Sequence, residues 1–261
     1  FGLGLTKNNY GSRMAAICEL HIEYEDGKNE IITTDKSWNY YESDIEDSGI
    51  YLGEIINRDL CTDNKNVKKQ VEVLEHPEVN EDTRSLLVGH LQDRTSLPVI
   101  EKERIAVKEI INTPVGETIL DMGQNFAGFI EFKANFDKGT EIILDFGEIL
   151  QQDNANYRDA NSQFVYISDG REETVRPHFT FFGFRYVRIK GWPDKVKKED
   201  FTGIVIYSDL RRSGYIETSD DKINRLYQNT LWGLKSNFID LPTDCPQRSE
   251  RLGWTGDAQV F

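Results

Sequence analysis

Asp244, Arg248, Glu250, Arg251, Trp254 and Asp257 fall within fourteen residues, in the run DCPQRSERLGWTGD. Carboxylates, guanidinium groups and an indole at this density are suited to holding a sugar. Asp and Arg offer several acceptors or donors to hydroxyl groups. Tryptophan offers a flat apolar face with a polar edge to the C–H side of a pyranose ring. A carboxyl group whose pKa is raised by burial or by a neighbouring anion can protonate a glycosidic oxygen. Glycoside hydrolysis uses two carboxyl groups, one on each side of the bond. Spacing alone leaves a second reading equally open, a solvated acidic loop in which Glu250 pairs with Arg248 or Arg251. Cys245 adjoins Asp244, but no histidine lies in the run to activate it. A buried structural thiol is therefore expected rather than a nucleophile. Arg251 is expected to make structural hydrogen bonds, and Trp254 has core packing as its competing role.

The elements that must position this run change character along the chain. Within residues 1–60, Leu20, Ile22 and Tyr24 alternate with polar residues before Asp26-Gly27, and Ile31-Ile32-Thr33 follow. Asp-Gly supplies the positive φ of a tight hairpin turn. Trp38, Tyr40 and Tyr41 continue in an aromatic stretch. Residues 61–103 are polar and rich in turn formers, and read as an irregular connection with one or two short strands ending near Pro98. Residues 104–208 return to alternation, through ETILDMGQNFAGFIEFK, GTEIILDFGEIL, TVRPHFTFFGFRYVRIKGW and FTGIVIYSDL. Short strands with no helical period between them predict a β-sandwich. The aromatic run 179–186 reads as sheet core and His178 as a packed core histidine. At residue 219 the period changes. Ser219 is placed as the cap of a helix with Asp220 and Asp221 in its first turn. Ile223, Leu226, Tyr227, Thr230, Leu231, Leu234 and Phe238 form its apolar stripe, and Pro242 ends the segment. One amphipathic helix cannot bury its own apolar face. Its stripe must dock on the sandwich or on further helices.

The chain of 261 residues carries a formal net charge of -14, which disfavours nucleic acid and anionic lipid as partners. The lysine clusters at 195–198 and 65–69 are short and flanked by acids. The three cysteines, Cys18, Cys61 and Cys245, are far apart, with no CxxC and no histidine at metal-ligand spacing. Neither a zinc site nor a disulfide framework is supported. DMGQNFAG lacks the Gly-Lys-Ser/Thr element of a phosphate loop, and no GxSxG elbow occurs. No apolar run of about 18 residues suggests a membrane span. The start, FGLGLTKNNYG, resembles neither a signal peptide nor a natural beginning and reads as the middle of a domain. The compartment stays open, with the cytoplasm as working expectation, and the oligomeric state is not read.

The string DLPTDCPQRSERLGWTGDAQVF closely resembles the signature of the bacterial α-L-rhamnosidases, a family of inverting glycoside hydrolases. The remaining segments follow that family's order. YGSRMAAICELHIEYEDGKNEIITTDKSW with SDIEDSGIYLGEIINRDL resembles its N-terminal accessory β-sandwich. ETILDMGQNFAGFIEFK through FTFFGFRYVRIKGW resembles the β-sandwich before its catalytic domain. GYIETSDDKINRLYQNTLWGLKSNFIDLPTDCPQRSERLGWTGDAQ resembles the opening of its (α/α)6-barrel. The resemblance implies a mainly β chain with an accessory region at 1–103, a second sandwich at 104–210 and the start of the barrel at 211–261. It implies Glu250 as the general acid, and Asp244, Arg248, Trp254 and Asp257 as residues that bind the rhamnose ring. It implies no metal or organic cofactor, and a rhamnose-containing glycoside or polysaccharide as substrate. The family's general base is a glutamate much further along the barrel with no counterpart here, so the 261 residues alone are expected to be inactive. Ser249 departs from the pattern, standing where many members carry an acid. Two rival classes are a non-catalytic carbohydrate-binding β-sandwich protein and an (α/α)6-barrel glycosidase of other sugar specificity.

Overall fold

The computed structural model describes residues 15–60, 67–73, 94–151, 154–155 and 161–256. Two compact bodies divide the chain. One comprises residues 1–43 and 62–93, the other residues 44–61 and 94–261.

In the first body, β1 (Glu19–Glu23) and β2 (Asn29–Thr33) form an antiparallel hairpin, with Glu23 opposite Asn29. The turn is the expected one. Gly27 has φ 79°, its N–H donates to Tyr24 O at 2.9 Å, and Asp26 Oδ1 accepts from Lys28 N at 3.0 Å. A short pair, β3 (Asn39–Tyr40) with β6 (Lys69–Gln70), completes the strands described there. Cys61 and most of the connection between residues 61 and 93 lie outside the described residues.

The second body is one large curled sheet, ten-stranded among the described residues. Its main order is β4 (Ile45–Gly49), β5 (Gly53–Asn57), β13 (Gln163–Ile167), β10 (Glu141–Gly147), β15 (Phe182–Lys190), β9 (Thr118–Ala134), β16 (Phe201–Ser208) and β7 (Val99–Ala106). β8 (Glu109–Asn112) and β14 (Glu173–Val175) pair with opposite ends of β9. Two further pieces, β11 (Leu150–Gln151) and β12 (Asn154–Ala155), make a separate small ladder. At seventeen residues β9 is long enough to serve several neighbours in turn. β5 runs parallel to β13, while the other pairs are antiparallel. The hairpin 45–57 therefore belongs by hydrogen bonding to this sheet, although in sequence it falls among the N-terminal strands.

Alternation along the strands buries one aromatic after another. Phe126, Phe132, Phe146, Phe164, Tyr166, Phe182 and Phe184 are almost wholly excluded from solvent. Phe146 stacks on Phe182 with ring centroids 3.9 Å apart, and Trp192 wedges between Phe136 and Phe201 at 4.8 and 4.6 Å. Buried charges are paired, as burial demands. Arg185 grips Asp121 with two 2.8 Å hydrogen bonds. Arg58 bridges Asp44 and Glu173, and Tyr166 donates to the same glutamate at 3.0 Å.

The helix α1 (Asp221–Ser236) begins one residue later than expected. Asp220, not Ser219, is the N-cap, and its carboxylate accepts from Lys222 N at 2.8 Å. No residue of α1 is fully buried: Ile223 is 51% exposed and Leu226 64%. In its second half Trp232 packs on the core and Lys235 reaches Glu103 at 2.5 Å. His178 also departs from expectation. Its ring is half exposed, while its backbone N–H donates to the buried carboxylate of Glu54 at 2.7 Å. Phe179 is exposed too, so the buried part of the aromatic run starts further along, with Phe182 and Phe184 inside.

Candidate active site

After α1 the chain forms a tight hairpin of β17 (Phe238–Ile239) and β18 (Leu241–Pro242), turning at Asp240 with φ 70°. Asp240 tolerates that conformation because its surroundings hold it: its N–H donates to Ser208 Oγ, and its carboxylate accepts from Ser96 and Arg94. A bridge between Thr243 and Gly253 then closes a loop over residues 244–252. Trp254 N donates to Pro242 O at 2.9 Å and seals the neck. The loop lies on β15 where Gly183 leaves the strand bare. A Cβ there would meet Pro246 Cγ at 2.6 Å and Gln247 N at 3.0 Å.

Inside the loop the charged side chains converge. Arg248 Nη2 stands 2.7 Å from Glu250 Oε2 and 3.4 Å from Asp244 Oδ2. The Cys245 thiol donates to Asp244 Oδ2 at 3.1 Å. Burial pushes the Asp244 carboxyl upward. Hydrogen bonds with Cys245, Glu250 and Arg248 more than offset this and hold it below the usual carboxylate range. Burial, followed by Asp244, raises the Cys245 thiol above its ordinary value despite a backbone hydrogen bond that opposes them. The thiol is thus a buried hydrogen-bond donor, unsuited to attack at neutral pH. Arg251 is 6% exposed, and burial pulls it down to about 10, which still leaves it charged at neutral pH. Its guanidinium donates to Ile50 O, Phe181 O and Arg248 O, so its work is structural.

Asp244, Cys245 and Glu250 offer ligand atoms within 4.8 Å of one another. Arg248 already brings one positive charge to the two carboxylates. Two atoms in the cluster are not compensated. Asp244 Oδ1 and Arg248 Nε are buried with no hydrogen-bond partner among the described residues, and Gln247 Oε1 beside them is the same. A buried acceptor and a buried donor left unmade are costly and call for a partner, whether water, ion or ligand. Trp254 is 48% exposed. Of the five site residues expected from the sequence, the structure brings Asp244, Arg248 and Glu250 together and leaves Trp254 at the neck of the loop. Asp257 lies outside the described residues. Tyr51, whose hydroxyl donates to Glu250 O at 3.1 Å, had no signal in the sequence.

Together these features describe a β-rich chain that carries an acid–arginine loop supported by its sheet. Three family models place it further. Residues 2–95 match the α-L-rhamnosidase N-terminal domain, and residues 111–207 match the bacterial α-L-rhamnosidase concanavalin-like domain. Residues 211–261 match the bacterial α-L-rhamnosidase six-hairpin glycosidase domain. The chain belongs to the bacterial α-L-rhamnosidase family. It is 32% identical to an α-L-rhamnosidase of Streptomyces avermitilis, covering 97% of this chain and 25% of that protein. It is 35% identical to one of Formosa agariphila, covering 94% and 27%. Among solved structures, the S. avermitilis enzyme complexed with L-rhamnose superposes with TM-score 0.84 at 31% identity, over 97% of this chain and 25% of that one. The α-L-rhamnosidase from Dictyoglumus thermophilum gives TM-score 0.82 at 32% identity, over 94% and 28%. The chain thus spans about a quarter of the length of these relatives.

Proposed function

We propose that this chain supplies the β domains and the acid-bearing loop of a glycoside hydrolase that removes terminal α-L-rhamnose with inversion. The observation that carries this reading is the loop itself. Asp244, Arg248 and Glu250 converge there, with Asp244 Oδ1 and Arg248 Nε buried and unpartnered. Asp244, held as an anion, accepts sugar hydroxyls through Oδ1, and Arg248 donates through Nε. Trp254 and Asp257 complete the grip on the ring. Glu250 gives its proton to the departing glycosidic oxygen. In an inverting reaction a second carboxylate, about 6.5–9.5 Å away, activates water on the opposite face. We assign that base to the further length of the relatives. We also keep the division into an accessory region at 1–103, a second sandwich at 104–210 and the beginning of an (α/α)6 barrel at 211–261, with the strands at 45–57 and 99–103 pairing into the sheet of the second region. The exposed stripe of α1 supports the last of these, since a barrel would supply the helices to cover it. No cofactor enters the chemistry.

The test is hydrolysis of α-L-rhamnosides by the protein extended to the length of its relatives, with the 261-residue chain beside it. The extended protein is expected to release β-L-rhamnose, detected by NMR during the first turnovers, and the short chain to release none. Glu250→Gln is expected to slow cleavage of alkyl rhamnosides by about 10²–10⁴-fold, the usual worth of a general acid. Aryl rhamnosides with acidic phenols need less protonation and should lose much less. Wild-type rates in Glu250→Gln would remove Glu250 as the acid. A folded extended protein that cleaves no glycoside would point to a sugar-binding module instead.

A further inference from the structure

The hairpin of β4 and β5 touches the acid-bearing loop at a point that the ring-binding residues do not explain. Its tip, residues 50–52, is fixed from all sides. Leu52 N donates to Gly49 O at 3.1 Å, and Thr180 Oγ1 donates to the same carbonyl at 3.0 Å. Asn161 N donates to Tyr51 O at 3.1 Å, and Asn161 Nδ2 donates to Leu52 O at 2.9 Å. Below the tip, Gly53 passes so close to β13 that a Cβ would stand 2.0 Å from Gln163 O. Glu54, buried with 1% exposure, accepts from Ser48 Oγ and from the backbone N–H groups of His178 and Phe179. The tip is therefore pinned to the strand edge and to the 178–181 segment.

From this base one group reaches Glu250 and a second reaches Arg251. The Tyr51 hydroxyl donates to Glu250 O at 3.1 Å. Ile50 O accepts from the buried guanidinium of Arg251, the next residue along. Arg251 itself has φ 38°, a left-handed conformation that costs a β-substituted residue about 1–2 kcal/mol and holds only where the surroundings impose it. Burial raises the Tyr51 phenol above its ordinary value, against the opposing charge of Arg251, and the Asp244 carboxylate adds to the rise.

We propose that Tyr51 is a positioning residue for Glu250. It holds the backbone carbonyl of the acid, so the carboxyl group meets the glycosidic oxygen from a fixed origin while Arg248 orients its other end. This rests on the reading of Glu250 as general acid. A residue that aims a proton donor matters in proportion to how much the leaving group needs the proton. A residue that only holds the fold together slows all substrates alike.

Tyr51→Phe, made in the extended protein, separates the two. It is expected to lower kcat on alkyl rhamnosides about tenfold, with KM nearly unchanged, and on rhamnosides of acidic phenols less than about twofold. Its melting temperature is expected to stay within about 4 °C of wild type, since one partly exposed hydrogen bond is removed. Equal losses on both substrate types, no loss on either, or failure to fold would each overturn the proposal and leave the hydroxyl a structural contact. Glu250→Gln, run on the same substrates, keeps the two claims apart. If Glu250→Gln shows the leaving-group pattern and Tyr51→Phe does not, only the role of Tyr51 falls. If Glu250→Gln lacks the pattern, the acid assignment falls and this proposal falls with it.

Discussion

The curled sheet and helix α1 carry equally regular apolar patterns, yet they end in different surroundings. In the sheet, alternating residues of β9, β10, β13 and β15 meet across a dry interior where Phe132 touches Phe164, Tyr166, Trp192 and Phe201. In the helix, Ile223 and Leu226 of the stripe stand exposed, while Trp232 packs against the core. A period says which face of an element is apolar. It does not say what covers that face. Sheet strands find their cover in neighbouring strands of the same chain, whereas a lone helix must find it elsewhere.

The contrast can be tested by deletion on each side. Phe132→Ala should destabilise the large body most, by about 3–5 kcal/mol, because the ring leaves a cavity among four aromatic neighbours. Chemical denaturation followed by tryptophan fluorescence would measure it, and a loss under about 1 kcal/mol would show the sheet interior to be as soft as the helix face. Asp121→Asn should cost less, about 2 kcal/mol, by weakening the forked pair with Arg185. This loss should depend on pH. The Arg185 hydrogen bonds hold the Asp121 carboxyl below its ordinary value. A depressed folded-state pKa contributes stability that is present above the unfolded value, about 3.9, and is lost as pH falls through the folded one. The gap between wild type and Asp121→Asn is therefore expected to be full at pH 7 and to close under acid. A gap that widened in acid would contradict the pairing. Smallest of all, Leu226→Ala should change the stability of this chain by less than about 0.5 kcal/mol, as for other exposed positions. In the extended protein the same substitution should cost about 2–5 kcal/mol if further helices cover the stripe. Equal costs in the two proteins would mean that the stripe stays open to solvent.

Local signals were legible in the sequence and distant ones were not. Asp26-Gly27 announced its hairpin because the positive φ of the turn falls on Gly27 itself. The helix was placed from its period, and its cap was missed by one position because Ser219, Asp220 and Asp221 all make plausible caps. Asp220 took the role by accepting from Lys222 N. The convergence of Asp244, Arg248 and Glu250 was legible because they are close neighbours in sequence, so loop closure brings them together. His178 was misread: an aromatic strand pattern gave no hint that Glu54, far away on β5, would draw the 178–179 backbone to itself. The parallel pairing of β5 with β13 was equally hidden, since hairpin logic sees only antiparallel neighbours. Tyr51 belongs to the same class, a residue with no local motif whose importance comes entirely from where the sheet delivers it.

The hydrogen bond from Tyr51 to Glu250 joins residues 199 positions apart. Contacts of such separation form only after the intervening chain has been ordered, because their loop entropy must first be reduced by shorter closures. On a ribosome, the tip of the β4–β5 hairpin emerges long before the acid does. It becomes a finished socket only once Asn161 and the 178–180 segment have joined it, still ahead of Glu250. Assembly therefore runs from scaffold to site, and an acid that has reached its place reports that the sheet beneath it is already complete.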